Sequence, residues 1–97
     1  MKIHQYWVYI ITNPTRTVLY IGVTNNLKRR VSEHAFGSLE KGKSFTSRYF
    51  CCNLIYFEFF TDIRIAIARE KTLKKWSRAK KVALIESMNP DWEFLTP

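Results

Sequence analysis

Two runs of β-branched and aromatic residues, Tyr6 to Thr12 (YWVYIIT) and Thr17 to Val23 (TVLYIGV), stand four residues apart in a chain of only 97. Asn13-Pro14-Thr15-Arg16 between them is turn-forming by composition, so the pair reads as an antiparallel hairpin with a four-residue loop. Pairing Thr12 with Thr17 would set Tyr9 opposite Tyr20 and Trp7 opposite Gly22. Both phenols would then share one face of the hairpin, and a slip of a single residue would separate them.

The rest of the chain is organised around that hairpin. Thr24-Asn25-Asn26 offers N-cap residues for a helix running to about Phe36 and ended by Gly37. On it Leu27, Val31 and Ala35 form an apolar i, i+4 stripe, with Asn26, Arg30 and His34 as a second stripe beside it. Residues 37–49 read as a loop, with Lys41, Lys43 and Arg48 interleaved with Phe45 and Tyr49. An aromatic strand follows from about Asn53 to Phe60. Asp62 can cap the next helix, whose apolar stripe is Ile63, Ala66, Ile67 and Leu73, with Glu70 inside it. A last helix, about Ala79 to Met88, stops before Asn89-Pro90, and Trp92, Phe94 and Leu95 are expected to fold back onto the core. The order ββαβαα describes a small α+β domain: one three-stranded, mostly antiparallel sheet flanked by helices, occupying residues 1–97.

Length and composition exclude several classes. The apolar run Tyr6 to Ile11 is stopped by Asn13-Pro14. It is too short for a signal-peptide core and far short of the ~20 residues that a membrane span needs. Cys51-Cys52, the only cysteines, are too few for a disulfide framework and badly spaced for a tetrahedral metal site. They read as reduced apolar residues entering a strand, which fits a cytoplasmic setting. The charge is lopsided, at 16 Lys+Arg against 8 Asp+Glu for a net +8. Residues 62–81 carry eight of the basic residues (Arg64, Arg69, Lys71, Lys74, Lys75, Arg78, Lys80 and Lys81) against Asp62 and Glu70. Such clustering is either a solvated helical face or a surface for a polyanion. With aromatics and the basic 41–48 loop alongside, it points to phosphate-backbone contact and salt-dependent binding.

Within this basic setting Glu70 stands out, because a carboxylate among apolar residues must be paired or coordinated. Lys74 at i+4 would make it an ordinary helix ion pair. A hard divalent cation held by one carboxylate, waters and a substrate phosphate is the alternative. Arg30 and His34 divide likewise between a solvated helix face and an active centre. A phenol, a guanidinium, an imidazole and a carboxylate on facing elements suit phosphodiester hydrolysis. That reaction needs activated water, a cation on the phosphate and stabilised developing charge.

Taken together, Val8-Tyr9-Ile10 and Tyr20-Ile21-Gly22 resemble the paired signature of the GIY-YIG nuclease superfamily. The likeness continues through Val23-Thr24-Asn25-Asn26-Leu27-Lys28-Arg29-Arg30 to His34, then Ala68-Arg69-Glu70-Lys71, Lys74-Lys75-Trp76, Leu84-Ile85 and Asn89-Pro90. It spans Tyr6 to Leu95 in order, and is nearest to the small single-domain bacterial members. The resemblance implies that Tyr9 and Tyr20 lie at the active site, one of them activating or orienting the attacking water. Gly22 would let the phosphate approach the backbone, and Arg30 would stabilise the phosphate and its transition state. His34 matches a frequent active-site histidine, Glu70 the carboxylate that binds a single Mg²⁺ or Mn²⁺, and Asn89 a C-terminal asparagine that steadies the site. Lys41, Lys43, Arg48, Arg69 and Lys74 complete the expected substrate-binding set. One position departs from the signature: Trp7 stands where the first motif has glycine, and could fill space at the edge of the site.

The reading is therefore a metal-dependent endonuclease acting on phosphodiester bonds, on DNA ahead of RNA, with structure-selective cutting and DNA repair as its expected setting. The rival is a non-catalytic nucleic-acid-binding module on the same scaffold. Retention of Tyr9, Tyr20, Arg30 and Glu70 together favours the enzyme. So small a surface would need a homodimer or a partner protein to read a long site.

Overall fold

The structure, a computed structural model, describes residues 4–37 and 51–97. The expected basic loop residues Lys41, Lys43 and Arg48 lie outside the described residues. Among those described, three strands and three helices follow in the order β1 (Tyr6–Thr12), β2 (Leu19–Thr24), α1 (Leu27–Gly37), β3 (Asn53–Phe60), α2 (Ile63–Lys75) and α3 (Arg78–Met88). The strands form one antiparallel sheet in the order β2-β1-β3. This is the α+β arrangement expected from the sequence.

Central β1 explains why its sequence lacks polar alternation. Val8 to Thr12 are all buried, because both faces of the strand are covered. On one side Val8, Ile10, Ile21, Ile55 and Tyr56 pack with Ala66 and Leu73 of α2 and Ile85 of α3. On the other, Tyr9, Ile11 and Leu54 pack with Leu27 of α1 and Cys51, and Val31, Tyr20 and Leu95 close around them. A β-bulge shifts the register between Ile10 and Ile11, which face Tyr56 and Leu54 respectively. Ile55 is the extra residue, and it joins Tyr56 on the α2 side.

The hairpin register differs from the expected one by two residues. Thr12 pairs with Leu19, Ile11 with Tyr20, Tyr9 with Gly22 and Trp7 with Thr24. The cause is Asn13. Its Oδ1 accepts from the backbone N–H groups of Thr17 and Val18, at 2.8 and 2.9 Å, so neither residue enters the ladder there. Arg16 N–H donates to the Asn13 carbonyl at 3.0 Å, and Arg16 takes a positive φ of 60° to close the turn. Thr12 Oγ1 then donates to the Val18 carbonyl at 2.7 Å. Because strand side chains alternate with period two, a two-residue shift keeps Tyr9 and Tyr20 on one face while changing their partners.

The first two helices are capped at residues the sequence offered, and the third at Ser77. Asn26 Oδ1 accepts from Arg29 N–H at 3.0 Å, Asp62 from Arg64 N–H at 2.8 Å and Ser77 Oγ from Lys80 N–H at 3.2 Å. Their buried faces are narrower than the expected stripes. In α1 the sheet-facing line is Leu27 and His34 at i, i+7, with Val31 half-buried and Ala35 exposed. In α2 it is Ala66 and Leu73, while Ile63 and Ile67 stay 38% and 36% exposed. These two lie about 60° and 100° around the helix from Ala66, beyond the line of contact.

The tail returns as expected at two of three residues. Leu95 N–H donates to the Leu54 carbonyl at 2.7 Å and Trp92 packs on the α2–α3 side. Phe94 remains exposed, with the Arg16 guanidinium 4.2 Å from its ring centre. Cys51 and Cys52 are free thiols, and burial pushes Cys51 up to about 11.

Candidate active site

Tyr9 sits at the middle of the central strand, 1% exposed, with its ring directed toward α1. Its cross-strand partner Gly22 explains how a phenol fits there. A Cβ on Gly22 would stand 2.3 Å from Tyr9 Oη and 2.4 Å from Cζ, so the ring lies in the space that the glycine leaves. On this face the missing side chain makes room for the tyrosine ring.

From α1, His34 reaches down to meet the phenol: Nε2 and Tyr9 Oη are 2.9 Å apart, in a buried hydrogen bond. The imidazole lies between the two tyrosines, with its centre 5.8 Å from the Tyr9 ring and 5.6 Å, edge-on, from Tyr20. The i, i+7 line explains this placement. His34 takes the position of a core residue two turns below Leu27, so the polar and apolar stripes of the sequence converge on the sheet. Arg30, one turn earlier and partly exposed, lies beside the Tyr9 phenol and is held by Glu33 at 3.4 Å.

The electrostatics follow from burial. Desolvation first, and then the Arg30 charge, push His34 down to about 4 against a weaker upward pull from Glu33. The imidazole is therefore neutral at pH 7. Burial also raises the Tyr9 phenol, opposed by Arg30 and reinforced by the charges of Tyr20 and Glu70. A neutral phenol can donate to Nε2 whenever the imidazole carries its proton on Nδ1.

Glu70 comes from α2, on the other side of the sheet, yet is close enough for its charge to act on Tyr9. Its side chain is only 16% exposed and pairs with Lys74 at 3.5 Å. Lys74 also lines, with Lys81, a groove along the edge strand beside Tyr20. A single half-buried carboxylate is an oxygen donor of the type Mg²⁺ accepts, and no group of three His, Cys, Asp or Glu side chains comes together among the described residues. A metal held here would therefore rest on Glu70, with water and substrate oxygens completing its shell.

Two expected substrate contacts are engaged elsewhere. Arg69 makes a bidentate pair with Glu58, both bonds 2.9 Å, and its guanidinium lies over Trp76; Tyr56 Oη donates to the same carboxylate. Asn89 is buried at the end of α3. Its Nδ2 donates to the carbonyls of Ile55 and Glu93 at 2.9 and 2.8 Å, and its Oδ1 accepts from Glu93 N–H at 3.0 Å. That amide ties β3, α3 and the tail together. Sequence reasoning passed over Glu58, whose partner eleven residues on becomes a neighbour only when α2 folds against β3; Lys81 belongs to the expected basic cluster, but its place beside Tyr20 depends on how α3 crosses the sheet.

This hairpin, helix and carboxylate arrangement is that of a nuclease-superfamily catalytic domain. Residues 5–83 match the GIY-YIG catalytic domain, and the chain belongs to the GIY-YIG family. It is 40% identical to the UPF0213 protein CPE1444 of Clostridium perfringens over 84% of this chain and 83% of that one. It is 33% identical to a UPF0213 protein of Bacillus pumilus, covering 96% and 91% of the two chains. The solution NMR structure of the UPF0213 protein BH0048 from Bacillus halodurans superposes with a TM-score of 0.58 at 28% identity, covering 92% of this chain and 90% of that one. Among the described residues no helix is long and apolar enough to cross a membrane.

Proposed function

We propose that this chain is a divalent-metal-dependent endonuclease that hydrolyses phosphodiester bonds, with DNA as its substrate ahead of RNA. The observation that carries the reading is the convergence of Tyr9, Tyr20 and Arg30 around buried His34, with Glu70 in electrostatic reach of Tyr9. Arg30 would meet the non-bridging oxygens of the scissile phosphate, offsetting charge as the transition state forms. Tyr9 Oη, its own proton directed at His34 Nε2, presents a lone pair to the attacking water and orients it. Proton loss from that water then runs through Oη to Nε2. An incoming phosphate anion pairs with Arg30 and removes part of the repulsion that holds His34 down. Glu70 would hold one Mg²⁺ or Mn²⁺, which supplies positive charge at the phosphate and the leaving oxygen. Lys74, itself half-exposed and in a single 3.5 Å contact, must release Glu70 for this. The basic α2–α3 face would take flanking phosphates. A cytoplasmic role in DNA repair, as a single domain working alone or as a homodimer, completes the proposal.

The test is cleavage of labelled single-stranded, duplex and branched DNA, and of RNA, with Mg²⁺, Mn²⁺ or EDTA. Glu70→Gln and Arg30→Ala proteins are purified in parallel. Metal-dependent cutting that falls about 100-fold or more in both variants is expected. Cutting undiminished in Glu70→Gln would remove the metal role, and salt-sensitive binding with no cutting of any substrate would leave a non-catalytic binding module.

A further inference from the structure

Trp7, the residue that departs from the family signature, does not close the active site. It stands two residues from Tyr9 on β1, about 7 Å along the strand and on the same sheet face. Across the ladder it faces Phe59 of β3, while Tyr9 faces Phe57. Trp7 and Phe59 make a tilted pair with ring centres 5.5 Å apart, and Phe59 is 52% exposed, so one ring of the pair is open to a ligand. Beside Trp7, at the start of α1, lies a hollow of about 260 Å³. Trp7, Leu27 and Phe57 form its apolar walls, with Asn26, Lys28 and Pro97 around the rim. The candidate active site and this aromatic hollow are thus consecutive rows of one sheet face, under one helix that carries Lys28, Arg29 and Arg30.

From this arrangement we infer that Trp7 and Phe59 form a stacking platform for an unpaired nucleobase of the substrate strand, one nucleotide away from the phosphate that Arg30 and Tyr9 would engage. The inference rests on the nuclease reading and deepens it, since it names the substrate as nucleic acid with a single-stranded segment at the cut. Three features select this occupant. An aromatic face with an apolar wall accepts any base edge-independently, as single-strand binders do. The cationic rim on α1 and the net charge of +8 complement a phosphate backbone and disfavour another copy of the same basic chain. A base held in a paired stack cannot lie flat on the sheet, so intact duplex would leave the platform empty.

The experiment measures binding in EDTA, using a fluorescently labelled single-stranded oligothymidylate and a blunt DNA hairpin closed by a non-nucleotide linker, which has no unpaired base. Phe59→Leu keeps an apolar side chain at an exposed position and removes the aromatic face; Trp7→Leu does the same in the wall, and Trp7→Phe restores an aromatic ring. The expected result is roughly 5- to 100-fold weaker single-strand binding in each leucine variant, with hairpin binding changed less than about twofold and Trp7→Phe near wild type. Equal losses on both probes, or no loss on either, would overturn the platform. So would a wild-type dimer that Phe59→Leu converts to a monomer on size exclusion, since the face would then be a self-interface. Failure of the nuclease reading is separable: absent cutting with Trp7-dependent single-strand binding leaves the platform as a binding site, whereas cutting with Trp7-independent binding leaves the enzyme without it.

Discussion

The Tyr9 ring lies where a Gly22 side chain would be, and this cross-strand contact positions the hydrogen bond from Tyr9 to His34. The glycine of the second motif and the tyrosine of the first thus form one structural unit. The ring is fixed by the strand beneath it and the helix above it, and its hydroxyl is left pointing at an imidazole.

That relationship predicts a non-additive pair. Gly22→Ala should destabilise the fold by about 1–3 kcal/mol through overpacking and should also displace the phenol from His34. In a Tyr9→Ala background, where the ring is gone, the same substitution should be close to neutral. A double-mutant cycle by urea denaturation measures the coupling. Additive losses would show that the contact is not the cause.

Neutral His34 makes stability depend on pH in a defined window. The imidazole titrates at about 4 in the folded chain and near its ordinary 6.5 when unfolded, so between those values the unfolded chain binds more protons. The contribution is complete above about pH 6.5 and shrinks as pH falls toward 4, by up to about 3 kcal/mol. The slope of stability against pH between 6.5 and 4.5 should therefore be shallower in His34→Phe than in the wild type, read from urea midpoints at constant m-value. Parallel slopes would place the titration elsewhere.

Arg69 and Lys74, both basic residues of α2, should separate by salt dependence. Arg69→Ala leaves Glu58 half-buried without its guanidinium and should cost about 1–3 kcal/mol of stability, with no change in the salt slope of nucleic-acid binding. Lys74→Ala should leave stability within about 0.5 kcal/mol and reduce the slope of log K against log salt by about 0.9, the signature of one lost phosphate contact. Titrations at several salt concentrations distinguish the two, and a reduced slope in Arg69→Ala would restore it to the binding surface.

Asn89 should behave as a staple. Asn89→Ala strands the Ile55 and Glu93 carbonyls and the Glu93 N–H, and should cost about 2–3 kcal/mol in thermal or urea unfolding. Nucleic-acid affinity measured below the transition should stay unchanged. A large loss of affinity in the folded variant would give the amide a role at the substrate.

Local chemistry written in the sequence determined much of this protein. The two aromatic runs with Asn13-Pro14 between them specify the hairpin, the caps Asn26, Asp62 and Ser77 start the helices, and period-two alternation places Tyr9 and Tyr20 on one face whichever even register is chosen. Glu70 was conspicuous because a carboxylate in an apolar stripe requires a partner. Only the tertiary structure decided the rest. The side-chain amide of Asn13 took two backbone donors and moved the register by two, so that Tyr9 met Gly22 and not Tyr20. The i, i+7 contact line turned His34 inward, which stripes counted every four residues do not distinguish. The engagement of Arg69 with Glu58, and the row of Trp7 and Phe59 beside the phenol, join residues from different elements. Such pairings depend on which faces pack together, and that is settled by burial of the whole core at once rather than by any stretch of chain alone.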